Sequence, residues 1–441
     1  MNKLLKAIFL LSFLSVSILG SAQPKINSPF SRFGLGDIPT RNFPALSGMG
    51  GLASTFADQH HLNFVNPASY AFLSETAFEI GFDARRSNWI EGNEEASLWT
   101  GNLTHLALGF QFTNQLNEVL DGRQKPLKFG MAVGLAPRTQ VGYNIQTIEE
   151  LNNETQVISD FTGEGGTYTL TWGNALRYKN FGFGFNFNYL FGNIETLAEG
   201  KPNTLNSYGY SSSNSYSVRG VLWDIGALYK MPLADPERAE DDYNAKRAIV
   251  FGAHVGPKSD FNTNQDLLTT RLSTTGDLDT FSLKNERGEG VYPMEFGVGV
   301  MYEIRNRFRV GVDYSFADWS SYQNDAAPED PLQSSYSLNL GAELIPEIAS
   351  VGNYWKRMRY RAGFRYTKDP REVLNTSLTN LGVTFGLGIP VLLARQQASY
   401  VNVNLELGQF GSDDTLKENY IRLALGFTLN DNLWFFKRKF N

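Results

Sequence analysis

The chain of 441 residues contains no cysteine at all. That excludes disulfide staples and also the lipid-modified cysteine by which a lipoprotein is held on a membrane. Beyond the first twenty-odd residues it has no run of about eighteen apolar residues, so no transmembrane helix is expected in the body of the chain. Histidine is scarce, with four in total. Gly-x-Ser-x-Gly elbows, His-Glu-x-x-His helices and Gly-x-x-x-x-Gly-Lys loops do not occur, so the sequence carries no catalytic signature, and neither an enzyme nor a bound cofactor is expected. The net charge of -6 is mild and of the wrong sign for binding nucleic acid.

What is present is alternation. Phe181, Phe183, Phe185, Phe187, Tyr189 and Phe191 are interleaved with Gly182, Gly184, Asn186 and Asn188. Side chains alternate across a strand, so one face is an aromatic stripe and the other is small and polar. The same alternation recurs along the chain, which favours a sheet closed on itself with lipid outside over a sandwich. It also explains how 42% hydrophobic content coexists with a negative mean hydropathy. The fold class read here is all-β: a transmembrane antiparallel β-barrel of about fourteen strands. An even strand number puts both termini on the periplasmic side. The turns at 178–180 and 304–306 are then periplasmic, and 145–165, 196–215, 259–290 and 320–333 are external loops, with extension of strands above the membrane at segments such as 205–215 as the alternative.

The first residues read as an export signal. Lys3 and Lys6 precede the apolar stretch 7–19, and Gly20, Ser21 and Ala22 form a small-residue cleavage site before Gln23. The chain therefore divides into a signal peptide at 1–22, an N-terminal segment at 23–74 and the barrel at 75–441. The localisation implied is the outer membrane of a diderm bacterium, in contact with lipid and lipopolysaccharide.

Assigning faces separates wall from lumen. Ile421, Leu423, Leu425, Phe427 and Leu429 face lipid, leaving Arg422 inside; Val401, Val403, Leu405 and Leu407 alternate with Asn402, Asn404 and Glu406. By the same rule Arg359, Arg361, Arg365, Asp313 and Glu343 point inward. Buried charges need partners or water. They pair across the barrel, anchor a plug, or line a polar conduction path.

The segment 23–74 is rich in glycine and too long for a simple leader, which reads as a plug. Here the chain resembles the FadL-like outer-membrane proteins, the long-chain fatty acid and aromatic hydrocarbon transporters. The resemblance rests on Ala45-Leu46-Ser47-Gly48-Met49-Gly50-Gly51-Leu52-Ala53, on Ala57-Asp58, and on Asn66-Pro67-Ala68-Ser69 shortly before the first strand. It implies that Asn66, Pro67 and Ala68 are a hatch motif inside a fourteen-stranded barrel; read from the residues alone, Asn-Pro is a turn. Pro137 lies within the third strand, where proline belongs at a bulge or edge. The resemblance makes it a candidate for the inward strand kink through which an apolar ligand leaves sideways.

Two functions follow. One is passive uptake of a hydrophobic small molecule through a hatch-plugged barrel with lateral exit. The other is a non-transporting accessory barrel in an outer-membrane secretion or barrel-assembly machine, with periplasmic or outer-membrane protein partners. The inward positions are dominated by Gly, Asn, Ser, Thr and charge, where an apolar path would be expected of a transporter. His60 and His61 are adjacent without an evident third ligand, so no metal site is expected.

Overall fold

The computed structural model describes residues 28–39, 43–92, 94–113, 118, 125–152, 155–203, 208–233, 247–272, 278–328, 331–373, 375–392, 398–412 and 416–432. The expected signal peptide at 1–22 and the aromatic and basic residues at 434–439 lie outside them.

The strand elements are β1 (Thr76–Glu91), β2 (Glu94–Gln111), β3 (Leu127–Asn152), β4 (Thr155–Tyr178), β5 (Phe181–Pro202), β6 (Gly209–Leu233), β7 (Arg247–Gly256), β8 (Ser259–Leu272), β9 (Leu278–Tyr292), β10 (Glu295–Ile304), β11 (Phe308–Ala317), β12 (Gln323–Asn324), β13 (Ser335–Leu344), β14 (Arg359–Val373), β15 (Thr376–Leu392), β16 (Ala398–Gly411) and β17 (Lys417–Asp431). All printed pairings are antiparallel, and β1 pairs with both β2 and β17, so the sheet closes. β7 and β8 form one wall strand interrupted after Gly256 by Pro257, and β9 and β10 form another interrupted at Pro293. Proline donates no ladder hydrogen bond, which accounts for both breaks. With β12 a two-residue appendage on β9, the seventeen elements make a fourteen-stranded wall.

The alternation sets the two faces as the residues dictate. Phe181, Phe183, Phe185 and Tyr189 are exposed, whereas Asn186 and Asn188 are buried. Exposed large apolar side chains recur round the wall, among them Phe82, Phe129, Trp172, Phe251, Val312, Leu340, Phe385 and Phe427. An apolar girdle of this extent is stable only against lipid. No helix among the described residues is long and apolar enough to cross a membrane; the strands do the crossing.

Three of the four stretches expected to be external loops are strand instead. β3 and β4 stay paired out to Glu150 and Gln156, β5 and β6 to Gly200 and Tyr210, and β8 and β9 from Ser259 and Tyr292 to Leu272 and Leu278. Above the lipid both faces of a strand are wet, so the apolar-polar alternation fades while backbone pairing continues. Met358, on the lipid-facing side of the alternation with Tyr360, is also buried, because it closes a 3-10 turn at Tyr354–Arg357 rather than belonging to β14.

Candidate functional site

The described part of the N-terminal segment lies against the inner faces of the strands. Asn66 precedes a 3-10 turn at Pro67–Phe72 and caps it, its Oδ1 accepting from the Ala68 backbone N–H at 3.1 Å. Its Nδ2 donates to the carbonyl of Ser54 at 2.6 Å and reaches those of Ala227 in β6 and Ala253 in β7 at 3.2 and 3.3 Å. One side chain thus ties the turn to its own segment and to two wall strands. The wall accommodates this turn by having no side chains there. A Cβ on Gly184 would lie 2.5 Å from the Pro67 carbonyl carbon, and one on Gly226 would lie 2.1 Å from Asn66 Oδ1. Beside them Tyr70, fully buried, donates to Asn186 Oδ1 at 2.9 Å, and Asn186 Nδ2 donates to the Phe64 carbonyl. The small inner surface behind the aromatic stripe is therefore the seat of Pro67 and Ala68.

The opposite wall grips the segment by charge. Asp58 Oδ2 accepts from Arg309 at 2.8 Å and from Arg359 at 2.9 Å. Glu343 holds Arg361 at 2.8 Å and lies 3.4 Å from Arg309, while Arg361 also donates to Asn402. Glu303 pairs with Lys230 at 3.0 Å and Arg309 at 3.7 Å. Burial alone would raise the Asp58 carboxyl, but the Arg359 and Arg309 guanidiniums outweigh it and hold the group well below the usual carboxylate range. Asp313 serves differently: it accepts backbone N–H groups of Ala53 and Ser54, both at 2.6 Å, and the Thr55 hydroxyl. His60 lies near Asp58, while the His61 ring contacts Glu79 and Thr428; burial pushes His61 well below its ordinary value.

A second charged layer lies nearer the far end. Arg365 pairs with Glu406, Arg422 binds Asp83 at 2.6 Å, and Tyr420 donates to Glu406 at 2.9 Å. The structure thus brings Arg359, Arg361 and Glu343 into one cluster and Arg365, Arg422 and Glu406 into another, with Asp313 apart from both. A cavity of about 110 Å³ beside the second layer is lined by Asp83, Arg365, Arg371, Glu406, Glu418 and Arg422 among others.

Pro137 sits at a discontinuity. The β3–β4 register shifts between Pro137 and Thr139, a β-bulge that sends Arg138 inward to Tyr292 and Glu295, each at 2.8 Å. Toward β2 the strand is paired only from Gly130 to Leu135, opposite Gln111 to Leu106. Beyond that the β3 edge takes the N-terminal segment: Asp37 and Gln140 exchange backbone hydrogen bonds at 2.8 and 2.9 Å, and Ser28 N–H donates to the Gly142 carbonyl. Arg371 then grips the Asp37 carboxylate and the Phe30 carbonyl. The space left in the seam is about 30 Å³, between Phe43, Leu103, Ala136 and Pro137, and Phe43 stacks on His105 at 3.7 Å. The sequence indicated the inward charges one by one but neither the Asp58 bridge nor the Asp37–Arg371 clasp, whose partners lie hundreds of residues apart.

With this geometry in place the chain can be compared with known proteins. A family model described as BamG matches residues 4–441. The chain belongs to the BamG family. A search of curated proteins finds no match. Among solved structures, this BamG-family chain is similar to the toluene transporter TodX of P. putida, at 13% identity over 89% of this chain and 99% of that one, with a TM-score of 0.51. It is similar to the toluene transporter TbuX of Ralstonia pickettii at 13% identity, 89% and 99% coverage and a TM-score of 0.50. The monoaromatic hydrocarbon channel CymD gives 14% identity, 90% and 99% coverage and 0.50. The fold of the BamG-family chain is thus that of the FadL-type outer-membrane barrels, as the hatch-region resemblance implied.

Proposed function

We propose that this protein is a non-transporting barrel subunit of an outer-membrane assembly or secretion machine, exported by its signal peptide, with the N-terminal segment a fixed hatch. The observation that carries this is the Asp58 bridge to Arg309 and Arg359. A hatch that moves with each passing ligand would have to part a buried carboxylate from two buried guanidiniums, and breaking such a pair costs about 3–5 kcal/mol. The cavity behind the seam mixes apolar residues such as Ile38, Trp89 and Phe410 with a dense set of charges, Asp83, Arg85, Arg365, Arg371, Glu406, Glu418 and Arg422, where a hydrophobic cargo needs mostly apolar walls. Gentle solubilisation of native outer membranes followed by pull-down tests this: a stoichiometric large complex supports it, and a lone barrel overturns it.

One observation favours passive uptake of a hydrophobic small molecule as the second reading. Among the described residues, β2 and β3 do not pair beyond Leu106 and Leu135, beside Pro137, and only the N-terminal segment covers that seam, on the fold of hydrocarbon channels. Uptake of toluene by cells carrying Pro137→Ala or Asn66→Ala decides it: reduced uptake in either supports transport, and unaltered uptake in both rejects it.

A further inference from the structure

Above the seam, on the side away from the chain termini, the wall is split. β2 and β3 pair with each other only over 106–111 and 130–135, and the N-terminal segment takes the β3 edge at Gln140 and Gly142. Beyond those points each strand continues with a neighbour on one side alone. β2 runs on to Glu94 against β1, and β3 runs on to Asn152 against β4. Among the described residues no backbone pairs with the facing edges at 94–101 of β2 and 144–150 of β3. Every second N–H and C=O of a strand points to each side, so these edges present two rows of open donors and acceptors. Both rows lie at the end opposite the termini, which is the external end by the usual asymmetry of these barrels.

The side chains bordering the split carry charge of one sign. No lysine or arginine occurs at 87–111 or at 139–176, which includes both strands above the seam and both hairpin tips. Glu94 and Glu95 on β2 and Glu149 and Glu150 on β3 are exposed, two on each side of the gap. Because neighbours take opposite faces, each edge offers a carboxylate on each face. Cations on the adjoining strands lie further back: Arg85 of β1 is tied to Glu418 at 2.6 Å, Lys201 of β5 lies beside Glu199 at 3.4 Å, and Arg86 sits on β1. Apolar surface is also left bare on both edges, with Trp99 of β2 54% exposed and Ile148 of β3 61% exposed.

A row of open main-chain groups is matched by one kind of occupant, another extended strand. We infer that the split docks an extended segment of a partner protein on the outer face of the membrane, a segment that carries lysine or arginine and pairs through its backbone with the edges of β2 and β3. The same mode operates lower on the same edge, where Asp37 and Gln140 exchange backbone hydrogen bonds at 2.8 and 2.9 Å. Main-chain pairing supplies affinity, the four glutamates fix the sign of the partner, and Trp99 and Ile148 reward apolar side chains between its cations. This rests on the subunit reading above and names a place where that assembly is held.

Amide hydrogen exchange on the full-length chain, in its native complex and as the lone barrel stripped from it, tests this. Peptides covering 94–101 and 144–150 are expected to exchange fast in the lone barrel and to gain protection in the complex. A complex that leaves both stretches unprotected overturns the docking site and leaves the subunit reading standing. A parent chain without any complex overturns both. Protection already complete in the lone barrel would show that this chain's own residues cover the edges, 23–27 or 40–42 for example, and overturns the proposal. Protection that appears on adding lipopolysaccharide and magnesium to the lone barrel would show a cation-bridged lipid surface and also overturns it. A variant supplies the second reading. Glu94→Lys, Glu95→Lys, Glu149→Lys and Glu150→Lys together should lower recovery of the complex about tenfold or more, because several opposite-charge contacts between strands become like-charge ones. Asp279→Lys with Glu286→Lys, exposed on β8–β9 at the same end, should keep it. Heat-modified mobility on gels shows that the barrels are folded. Equal recovery from the two variants overturns the assignment of the split.

Discussion

The two edges of β3 are closed in opposite ways. Toward β4 the backbone ladder runs the length of the strand, from Leu127 and Tyr178 to Asn152 and Thr155, with a shift at the bulge after Pro137 and another near the tip. Toward β2 it covers only Gly130 to Leu135, and the N-terminal segment supplies what is missing through Ser28 and Asp37. An unpaired edge in a membrane leaves backbone groups without partners, at several kcal/mol for each group facing hydrocarbon. A barrel can therefore keep a seam only if something inside covers it. In this chain the cover is part of the same polypeptide, held in place by side chains far from the seam.

If that is right, the largest effect comes from cutting the hold rather than the seam. Asp58→Ala leaves Arg309 with the more distant Glu343 at 3.4 Å and Glu303 at 3.7 Å, and Arg359 with Glu343 at 3.8 Å and the Tyr400 hydroxyl at 3.2 Å. A loss of about 3 kcal/mol in unfolding free energy is expected, with protease cleavage appearing between residues 43 and 74. Acid should act in the same direction. The Asp58 pKa is depressed in the folded state, so its contribution is present above the ordinary carboxylate value of about 4 and is lost as the pH falls through the folded value. Protection of the segment in the wild type should fail only below about pH 4, and in Asp58→Ala this acid transition should disappear.

Gly226→Val tests the other grip. Its Cβ would meet Asn66 Oδ1 at 2.1 Å and Pro67 Cδ at 2.8 Å, displacing the turn. Overpacking of this kind costs about 1–3 kcal/mol. The expected result is a lower melting temperature with the strand content by circular dichroism unchanged.

The smallest effect is expected at the seam itself. Pro137→Val restores a backbone donor next to the bulge, yet Arg138 remains tied to Tyr292 and Glu295 and the segment still covers the β3 edge. Stability should change by less than about 1.5 kcal/mol, the range of volume-conserving apolar swaps at a packed site. Extension of β2–β3 pairing beyond Leu135, seen by amide hydrogen exchange, would show instead that the proline alone keeps the seam open.

Residue pattern and fold agree wherever the cause is local. Phe181 faces lipid and Gly182 the lumen because successive side chains take opposite faces, and the same rule placed Arg359, Arg361, Arg365, Arg422, Asp313, Glu343 and Glu406 inside. It failed at residues 145–165 and 259–290, where both faces are wet and the alternation that marks a strand is lost although the ladder persists. Asn66 and Pro67 were legible as a turn; that the turn sits on Gly184 and Gly226 was not, because those positions come from other strands.

The sequence by itself determined the all-β class, the strand number, the solvent on each face and the charge of the lumen, since each depends on the order of neighbouring residues and a period of two. Only the tertiary structure decided that Asp58 bridges Arg309 and Arg359, that Asp37 closes the edge of β3, and that β2 and β3 part at Leu106 and Leu135. Those outcomes depend on which strands closure of the barrel brings face to face, and on how a segment with only short helical turns settles among them, which no local pattern encodes.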